Sequence, residues 1–404
     1  MLITRKSPDL LQKIEAALRG GIDAVQLRDK ESEGRGLFHL ALEVRKITRR
    51  YNAELFINSR ADIALAVHAD GVHFPENSQL QKWPNLKIGA SVHSFEAAEK
   101  AEREGADFLL LSPIFASFGK GIPLGLDFLK TCARKTSLPI YALGGVTAEK
   151  IPAILKAGAY GAAAISAILD APDPFDAAES FSSLFKTLSL RFDPPQNRGS
   201  FRDSEGTESK TLGIQHTFQF RGIYGIVSTF DAGVRAIQGG VKAIQFRWKE
   251  AFTREAFHAA SQLSSLCLEA QIPFFINDRA DIAKAVNASG VHLGQTDIPI
   301  HEARNILGAG KLIGATVSNS QEAEAAEKQG ADYIGLGHVF PTQSKQKSFP
   351  PIGLEMVRQV KERISIPLIA IGGIDGTNAA SVFAAGADGI AILSALHKVS
   401  DVLV

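Results

Sequence analysis

The chain repeats its own sequence, because two long segments carry the same motifs in the same order. Ala24–Lys30 (AVQLRDK) returns as Ala243–Lys249 (AIQFRWK), and Phe56–Ala64 (FINSRADIA) returns as Phe275–Ala283 (FINDRADIA). Both pairs lie 219 residues apart, a spacing far longer than the roughly 20 to 50 residues of a solenoid unit. We therefore predict duplication of a whole domain, in which each copy buries a hydrophobic core of its own.

The segment between the copies has the composition of a flexible linker. Residues 191–216 are polar, contain Pro, Gly and Ser, and show little hydrophobic periodicity. We predict a first domain at residues 1–190, a linker at 191–216 and a second domain at 217–404. The spacing between matching residues grows to 225 at Gly89 and Gly314, so the second copy carries about six extra residues before this point.

The charges of the chain are nearly balanced, with 44 Lys and Arg against 43 Asp and Glu. That balance argues against a general binder of nucleic acids or of anionic membranes. No apolar run reaches the length of a membrane span, and Met1–Lys6 lacks the apolar core of a signal peptide, so we expect a cytoplasmic protein. Its two cysteines, Cys132 and Cys267, are predicted to be buried apolar residues with no disulfide or zinc site.

Short apolar runs alternate with helix-like stretches along the second copy. Eight runs predict strands, at Gly222–Ser228, Ala243–Arg247, Phe274–Asn277, Gly290–Leu293, Leu312–Ala315, Tyr333–Leu336, Leu368–Ile371 and Gly389–Leu393. Continuously apolar strands in such units predict an α/β fold whose parallel sheet closes into a (β/α)8 TIM barrel. The first copy shows the same pattern from a short strand at Met1–Thr4, so we predict two tandem barrels. An open doubly wound sheet is the alternative, disfavoured because no switch in strand order is obvious.

Cationic and amide side chains follow the second predicted strand of the second copy. Gln245, Arg247 and Lys249 alternate through the end of this strand, which sends them to one face. Two cations at the mouth of a barrel suit an anion such as diphosphate. The alternative interpretation is a solvated strand end.

Carboxylates close the next two predicted strands. Asn277 and Asp278 end one strand, and Asp297 follows its neighbour. Adjacent strands lie about 4.8 Å apart, so Asp278 and Asp297 can converge on one Mg²⁺, which proteins usually hold with one or two carboxylates and substrate phosphates. When either aspartate is considered alone, the alternative interpretation is that it caps a loop by hydrogen bonding to the backbone. In the first copy the corresponding residues are Ser59 and Ser78, which predicts that this copy does not bind the metal.

Phosphate-binding segments are predicted after the last three strands of the second copy. The loop Pro341–Lys345 offers Thr342, Ser344 and Lys345 as a mobile lid, although a plain surface loop fits the pattern equally well. Ile371–Ile374, with Gly373, and Ile392–Ala395, with Leu393 and Ser394, resemble the glycine-rich phosphate site that recurs at the mouths of TIM barrels.

From about Gly222 onward, the combined motifs of the second copy resemble the thiamine phosphate synthase (thiamine-phosphate pyrophosphorylase) family. The motifs are Gln245-x-Arg247-x-Lys249, Asn277–Arg279, Gly290–Gln295 with Asp297, Pro341–Thr342-x-Ser344–Lys345, Gly372–Ile374 and Gly386–Gly389 with Ser394. The resemblance implies a transferase of thiamine biosynthesis with two small-molecule substrates, a hydroxymethylpyrimidine diphosphate and a thiazole phosphate. Thr316 stands where the family usually has serine, and keeps the hydroxyl.

The resemblance also implies the roles of the individual residues. Gln245, Arg247, Lys249 and Asn277 would contact the pyrimidine diphosphate, Asp278 and Asp297 would bind Mg²⁺, Lys345, Thr342 and Ser344 would reach phosphate from the lid, and Gly373 and Ser394 would bind the thiazole phosphate. The family reaction is dissociative: diphosphate leaves, and the thiazole nitrogen captures a pyrimidine methyl cation. No general base or covalent nucleophile is obvious, which is consistent with catalysis by positioning and electrostatic stabilisation.

Two histidine positions keep other functions open. His338 stands where the synthases usually have proline and where the related thiazole tautomerases have an acid–base histidine, so a tautomerase is the alternative enzyme. The first copy resembles the tautomerase branch but has Pro113 at that position, and we expect it to lack synthase activity. Two alternatives then remain for the first copy: it binds a phosphate ligand such as a thiazole phosphate, or it only packs against its neighbour. His93 is its remaining candidate for chemistry. An internal pseudo-dimer or a homo-oligomer fits the duplication.

The first copy retains several residues of the predicted phosphate and substrate sites. They are Gln26, Arg28, Lys30, Asn58, Lys120, Gly144, Gly145 and Ser166. His73 and His292 recur in both copies within Gly-Val-His, although the metal pair does not. We therefore predict that these two histidines have a packing or hydrogen-bonding role.

Overall fold

The computed structural model describes residues 1–29, 31–32, 34–117, 119–189, 220–342 and 350–393. These residues form two compact units, one for each repeat. The predicted linker at 191–216 lies outside the described residues, so the domain bounds stay a prediction. Within the described ranges, none of the helices combines the length and the apolarity that a bilayer crossing requires.

The second repeat is a closed barrel of eight parallel strands. Around the barrel the strands follow the order of the chain, and the last strand pairs with the first. The strands β9–β16 are Gly222–Val227, Ala243–Phe246, Phe274–Asn277, Gly290–Leu293, Leu312–Val317, Tyr333–Gly337, Leu368–Ile371 and Gly389–Ile392. The helices α9–α15 between them are Phe230–Gln238, Arg254–Glu269, Ala280–Ala285, Ile300–Leu307, Ser320–Lys328, Gly353–Lys361 and Ala379–Ala384. The predicted TIM barrel is confirmed, and three of the eight strands have the predicted bounds.

The first repeat has eight parallel strands in the same order. Its strands β1–β8 are Leu2–Ile3, Ala24–Leu27, Glu54–Asn58, Gly71–Phe74, Lys87–Val92, Phe108–Leu111, Ile140–Ala142 and Gly161–Ala162. Its helices α1–α8 are Leu10–Arg19, Gly34–Arg50, Ala61–Ala66, Phe95–Glu104, Gly125–Lys135, Ile151–Lys156, Ser166–Leu169 and Pro174–Ser189. Ala164, just after β8, connects the end of the sheet to β1. It forms an isolated β-bridge with Leu2 and backbone hydrogen bonds with Met1 and Ile3.

The connection between the fourth and fifth strands differs between the two repeats. The chain between β12 and β13 forms α12 (Ile300–Leu307), whereas residues 75–86, between β4 and β5, contain no helix. The insertion of about six residues that the repeat spacing indicated therefore falls in this connection. The shorter connection of the first repeat passes from β4 to β5 without a helix.

Aromatic rings fill the interior of the second barrel. Phe275 packs against Tyr224 and Tyr333 with ring centroids 5.5 and 5.2 Å apart, and all three side chains are nearly inaccessible to solvent. In the first barrel Phe56 and Phe108 pack at 5.1 Å. The interior is therefore a packed core, and a substrate can reach the barrel only at the rim where the strands end.

Both cysteines lie inside helices, as predicted. Cys132 on α5 and Cys267 on α10 are free thiols, and both are buried. Burial raises the pKa of the Cys267 thiol to about 12. Such a thiol behaves as a small apolar residue and not as a nucleophile.

Candidate active site

Two amide side chains meet at the carboxyl-terminal rim of the second barrel. Gln245, on β10, is only 3% exposed and donates from Nε2 to Oδ1 of Asn277, the last residue of β11, over 3.1 Å. The two strands are paired neighbours. The structure thus brings together two of the residues that the sequence assigned to substrate binding.

The cations that follow Gln245 lie beyond the strand. β10 ends at Phe246, one residue earlier than predicted, although the N–H of Arg247 still donates to the Val227 carbonyl over 2.7 Å. Arg247 is half-buried at the rim, and Lys249 is exposed in the following loop. The predicted strand alternation therefore does not extend to Lys249, because the pairing with both neighbouring strands stops before it.

Asp278 turns the chain sharply at the end of β11. It has a left-handed backbone with φ 66°, a conformation that aspartate tolerates better than most residues, and its N–H donates to the His292 carbonyl over 2.8 Å. Arg279 and the buried Asp281 then form a two-pronged ion pair at 2.8 and 2.6 Å where α11 begins. This pair anchors the turn that carries the half-buried Asp278 side chain.

Asp297 is held at the end of the neighbouring strand. Its carboxylate Oδ2 accepts the Gly294 N–H over 2.7 Å, and its own N–H donates to the Gly294 carbonyl over 3.2 Å. The side chain is 8% exposed. Because Asn277 pairs with His292, Asp278 and the Gly294–Asp297 turn leave adjacent strands at the same rim.

The donor set of this rim fits Mg²⁺. Two carboxylates on adjacent strand ends supply the hard oxygen ligands that the ion prefers, and the oxygens of a bound diphosphate would complete its coordination. Among the described residues no group of three His, Cys, Asp or Glu side chains forms a self-contained metal cage. The arrangement is therefore suited to an ion that binds together with a phosphorylated substrate.

A buried hydrogen-bond chain runs from the rim into the barrel, and the sequence analysis found only part of it. His292 accepts or donates at both ring nitrogens, with Nε2 2.9 Å from Thr316 Oγ1 and Nδ1 3.1 Å from the Tyr333 hydroxyl. The Tyr333 hydroxyl lies 2.9 Å from that of Tyr224. Burial lowers the pKa of His292 to about 4, so the ring is neutral at neutral pH. The predicted hydrogen-bonding role of this histidine is confirmed, and Thr316 is its contact at the rim.

The glycine pair after β15 has a left-handed backbone, which glycine adopts more easily than any other residue. Gly372 and Gly373 have φ 99° and 68°, and a Cβ on Gly373 would lie 2.5 Å from the Pro341 carbonyl oxygen. Asn378 donates from Nδ2 to the Gly373 carbonyl over 2.9 Å. The sequence analysis did not select Asn378, although it follows the glycine pair at a short distance.

Not all of the predicted phosphate ligands can be placed. Thr342 is half-buried at the start of the predicted lid, and Leu393 is 36% exposed just after β16. Ser344, Lys345 and Ser394 lie outside the described residues, so their roles stay predictions.

His338 is a buried residue next to the end of β14. It is 6% exposed, and its carbonyl accepts the Ile352 N–H over 3.0 Å. A Cβ added to Gly372 would lie only 2.4 Å from the Cβ of His338. The side chain thus packs against the glycine pair. Its acid–base role stays a prediction.

The first barrel keeps the scaffold of this rim and changes its polar contacts. Asn58 donates from Nδ2 to Ser59 Oγ over 2.9 Å instead of accepting from the glutamine, and Gln26 Nε2 is buried with no hydrogen-bond partner among the described residues. The glycine pair recurs at Gly144 and Gly145 with φ 95° and 62°. Lys150 replaces Asn378 and donates to the Gly145 carbonyl over 2.6 Å.

Comparison with known protein families places both repeats in one group. A family model described as "Thiamine monophosphate synthase" matches residues 1–168 and again residues 228–396. The two matches together span most of the chain, and each covers nearly a whole barrel.

Individual proteins match one barrel's length of this chain. A thiamine-phosphate synthase of Chlorobium limicola is 47% identical over 167 residues, 41% of this chain and 80% of that protein. A putative thiamine-phosphate synthase 2 of Aquifex aeolicus is 49% identical over 169 residues, 40% of this chain and 91% of that protein. The solved thiamine phosphate pyrophosphorylase of Pyrococcus furiosus is 32% identical, covers 46% of this chain and 96% of that chain, and superposes with a TM-score of 0.43.

Proposed function

The chain belongs to the thiamine monophosphate synthase family, and from that premise we propose that its second barrel joins hydroxymethylpyrimidine diphosphate to a thiazole phosphate and releases diphosphate. The family match and relatives near half identity support thiamine phosphate synthesis, a transferase reaction of thiamine biosynthesis on small-molecule substrates. Because the substrates are small and charged, we propose that the enzyme acts in the cytoplasm.

The observation that carries the assignment to the second barrel is the carboxylate pair at its rim. Asp278 and Asp297 leave adjacent strands, and each is oriented by a backbone hydrogen bond of 2.8 or 2.7 Å. In the first barrel both positions are serine. The carboxylate pair that would hold a divalent cation against a diphosphate is therefore present in the second barrel and absent from the matching positions of the first.

The amides and the arginine of the rim would bind the pyrimidine diphosphate. The Gln245–Asn277 pair is preorganised by its own hydrogen bond, so little rotamer entropy is lost when a substrate ring binds to it. Arg247, half-buried beside the amides, offers a planar guanidinium that suits phosphate oxygens. Lys249 and the lid residue Lys345 would add positive charge around the leaving group.

Asp278 and Asp297 would hold Mg²⁺ at the diphosphate. When bound, this ion neutralises charge that develops on the departing diphosphate. The hydrogen bond from the Gly294 N–H orients the Asp297 carboxylate before substrate arrives, and the turn at Asp278 fixes the backbone from which its carboxylate extends. Preorganised charges of this kind stabilise a transition state without reorganisation at the moment of reaction.

The thiazole phosphate would bind across the mouth, near the glycine pair. Gly372 and Gly373 bring backbone close to the rim, and Thr316 presents a hydroxyl whose direction is set by neutral His292. We infer that the barrel positions the thiazole nitrogen and excludes water, while the loss of diphosphate generates the electrophile. None of these steps requires a protein base.

The test is an assay of diphosphate release with both substrates, with and without Mg²⁺, on the full chain. Asp278→Asn and Asp297→Asn keep the side-chain shape and remove the charge, and each is expected to lower the rate about 100-fold. Ser59→Ala, the matched change in the first barrel, is expected to leave the rate unchanged. Near-normal rates in both asparagine variants would refute the assignment of the metal site.

A further inference from the structure

The first barrel has a linked trio of polar side chains that the second barrel lacks. Glu76 follows β4, His93 follows β5 and Ser112 follows β6, so three successive strand ends contribute one residue each. His93 Nδ1 contacts the Glu76 carboxylate, and His93 Nε2 lies 3.4 Å from Ser112 Oγ.

The matching residues of the second barrel cannot form this chain. The equivalent positions are Gln295, Ser318 and Gly337, by the repeat spacing of 219 and then 225 residues. Gln295 contacts Glu322 on α13 instead. The trio therefore occurs only in the barrel that has lost the carboxylate pair.

We propose that Glu76, His93 and Ser112 form a proton-transfer site at the mouth of the first barrel, which acts on a small enolisable anion. The Glu76 carboxylate accepts the proton of Nδ1, and this contact leaves Nε2 as the basic nitrogen. His93 is 47% exposed and Glu76 38% exposed, so a ligand can reach the ring. The side chain of Ser112 is 5% exposed, and its hydroxyl contacts Nε2 of His93 until a ligand takes its place.

Two groups on and after β2 of the same barrel favour an anionic ligand. The side chain of Gln26, on β2, is only 1% exposed. Its Nε2 has no hydrogen-bond partner in the described part of the chain. A buried amide N–H without a partner is costly, and an anion would satisfy it. The Arg28 guanidinium lies close enough to His73 to help burial lower the pKa of that ring, so positive charge reaches the interior of this rim.

A nucleophilic serine fits the geometry less well than a proton relay does. The N–H of Ser112 is already donated to the Val92 carbonyl over 3.3 Å, and the next residue, Pro113, has no N–H. The amide of the residue after a nucleophilic serine usually helps to stabilise the oxyanion of acyl transfer. Without it, Ser112 is better explained as a positioning residue for His93.

The proposed step is a reversible proton transfer. His93 Nε2 takes a proton from a carbon next to the carbonyl group of the ligand, the C–H electron pair moves into the carbonyl as an enolate, and the imidazolium forms beside Glu76. Return of the proton to the same or another atom of the ligand restores the ring. No electrons, groups or further reactants are exchanged.

The test is deuterium exchange into two probes, dihydroxyacetone phosphate and pyruvate, followed by NMR with the full chain in D₂O. We expect exchange above the buffer rate with at least one probe, and the probe that responds tells whether the anion is a phosphate or a carboxylate. His93→Asn should lower this exchange about 100-fold. His301→Asn, at an exposed His301–Glu302 contact of 3.4 Å in the other barrel, is the matched control and should not change it.

A second readout separates positioning from mere structure. In ¹⁵N-histidine spectra, His93 should be a single Nδ1–H tautomer, Glu76→Gln should abolish this preference, and Ser112→Ala should shift only Nε2. Exchange at the buffer rate with both probes would overturn the proposal. So would a mixed tautomer like that of an exposed histidine, or labelling of Ser112 by a fluorophosphonate, which would indicate a nucleophile.

Discussion

Ser59 and Asp278 have the same backbone conformation in the two barrels and differ only in their side chains. Their φ angles are 62° and 66°, and each donates its N–H to the carbonyl of the histidine in the neighbouring Gly-Val-His strand, over 2.9 and 2.8 Å. The arginine–aspartate ion pair that follows is also present in both barrels. The first barrel thus has the backbone turn that carries Asp278 in the second barrel, without the carboxylate.

The other position of the proposed metal-binding pair differs between the barrels in two residues. Ser78 donates its N–H to the Pro75 carbonyl over 3.0 Å, just as Asp297 does to Gly294. Pro75 has no N–H, however, and cannot orient a carboxylate as Gly294 orients Asp297. The structure therefore supports the alignment of Ser78 with Asp297 and adds a difference that the sequence analysis did not identify.

Building the proposed metal site into the first barrel is expected to need three substitutions. Ser59→Asp with Ser78→Asp supplies both carboxylates, and Pro75→Gly adds the N–H that orients the second. Because groups that orient a ligand contribute about 10- to 100-fold to metal affinity, the triple variant should bind Mn²⁺ that much more tightly than the double variant in the presence of diphosphate. Electron paramagnetic resonance of free Mn²⁺ measures both affinities. Equal affinities would show that the glycine N–H is unimportant.

Tyr333→Phe should destabilise the second barrel. The change removes a hydroxyl that contacts both Tyr224 and His292, and leaves those two buried groups without this partner. We expect a loss of about 1–3 kcal/mol in the free energy of unfolding, measured by urea denaturation. Tyr51→Phe, at an exposed tyrosine, is the control. An unchanged unfolding midpoint would mean that the hydrogen bonds of the Tyr333 hydroxyl contribute nothing to stability.

Phe108→Tyr makes the reciprocal change in the first barrel and should stabilise it. Phe108 stands where Tyr333 stands in the repeat, and His73 Nδ1 is buried with no hydrogen-bond partner among the described residues. A hydroxyl at this place can pair with the ring nitrogen once the imidazole turns over, which gives about 1 kcal/mol. The same denaturation experiment detects the gain. A loss of stability would indicate that the added oxygen does not fit beside Gly89.

Buried His73 and half-buried His292 should make stability depend on pH in the acidic range. Burial, with Arg28 helping at His73, lowers the pKa values of His73 and His292 from 6.5 to about 3 and about 4. Below pH 6.5 the unfolded chain binds protons at these rings before the folded protein does. Each histidine therefore has no effect above this pH, and below it lowers stability by up to about 1.4 kcal/mol per pH unit.

Urea unfolding between about pH 7 and pH 5 tests this dependence. His73→Gln should reduce the slope of stability against pH, whereas His39→Gln, at an exposed residue of α2, should leave it unchanged. Identical slopes in the wild type and the His73 variant would contradict the lowered pKa.

Neither thiol should react in the folded protein. Cys132 and Cys267 are buried, and burial raises both thiol pKa values, so almost no thiolate is available to Ellman's reagent. Both thiols should react in denaturant. Ser180→Cys, on the exposed side of α8, provides a positive control for the native assay. Rapid native labelling of the wild type would show that one of the helices opens.

The strands were predictable because the barrel core imposes a local pattern on the chain. Parallel strands covered on both faces are continuously apolar, and each of the eight runs read from the second repeat became a strand. The rim positions of Gln245, Asn277, Asp278 and Asp297 could also be predicted, since polar residues directly after such runs lie at one end of a barrel. Strand ends were less predictable, because hydrogen bonding to two neighbours decides where β10 stops.

The sequence by itself determined the duplication, the barrel class and the loss of carboxylates at Ser59 and Ser78, because these are properties of local pattern and of residue identity. Only the tertiary structure showed that Tyr224, Tyr333 and His292 form one chain, and that Glu76, His93 and Ser112 meet. Each of these groups comes from strands or strand ends far apart in sequence. Tyr333 contacts Tyr224 and His292 from strands that are not its neighbours, so these contacts arise only when the sheet of the second repeat closes. The contacts of Glu76, His93 and Ser112 arise when three successive strands pair side by side.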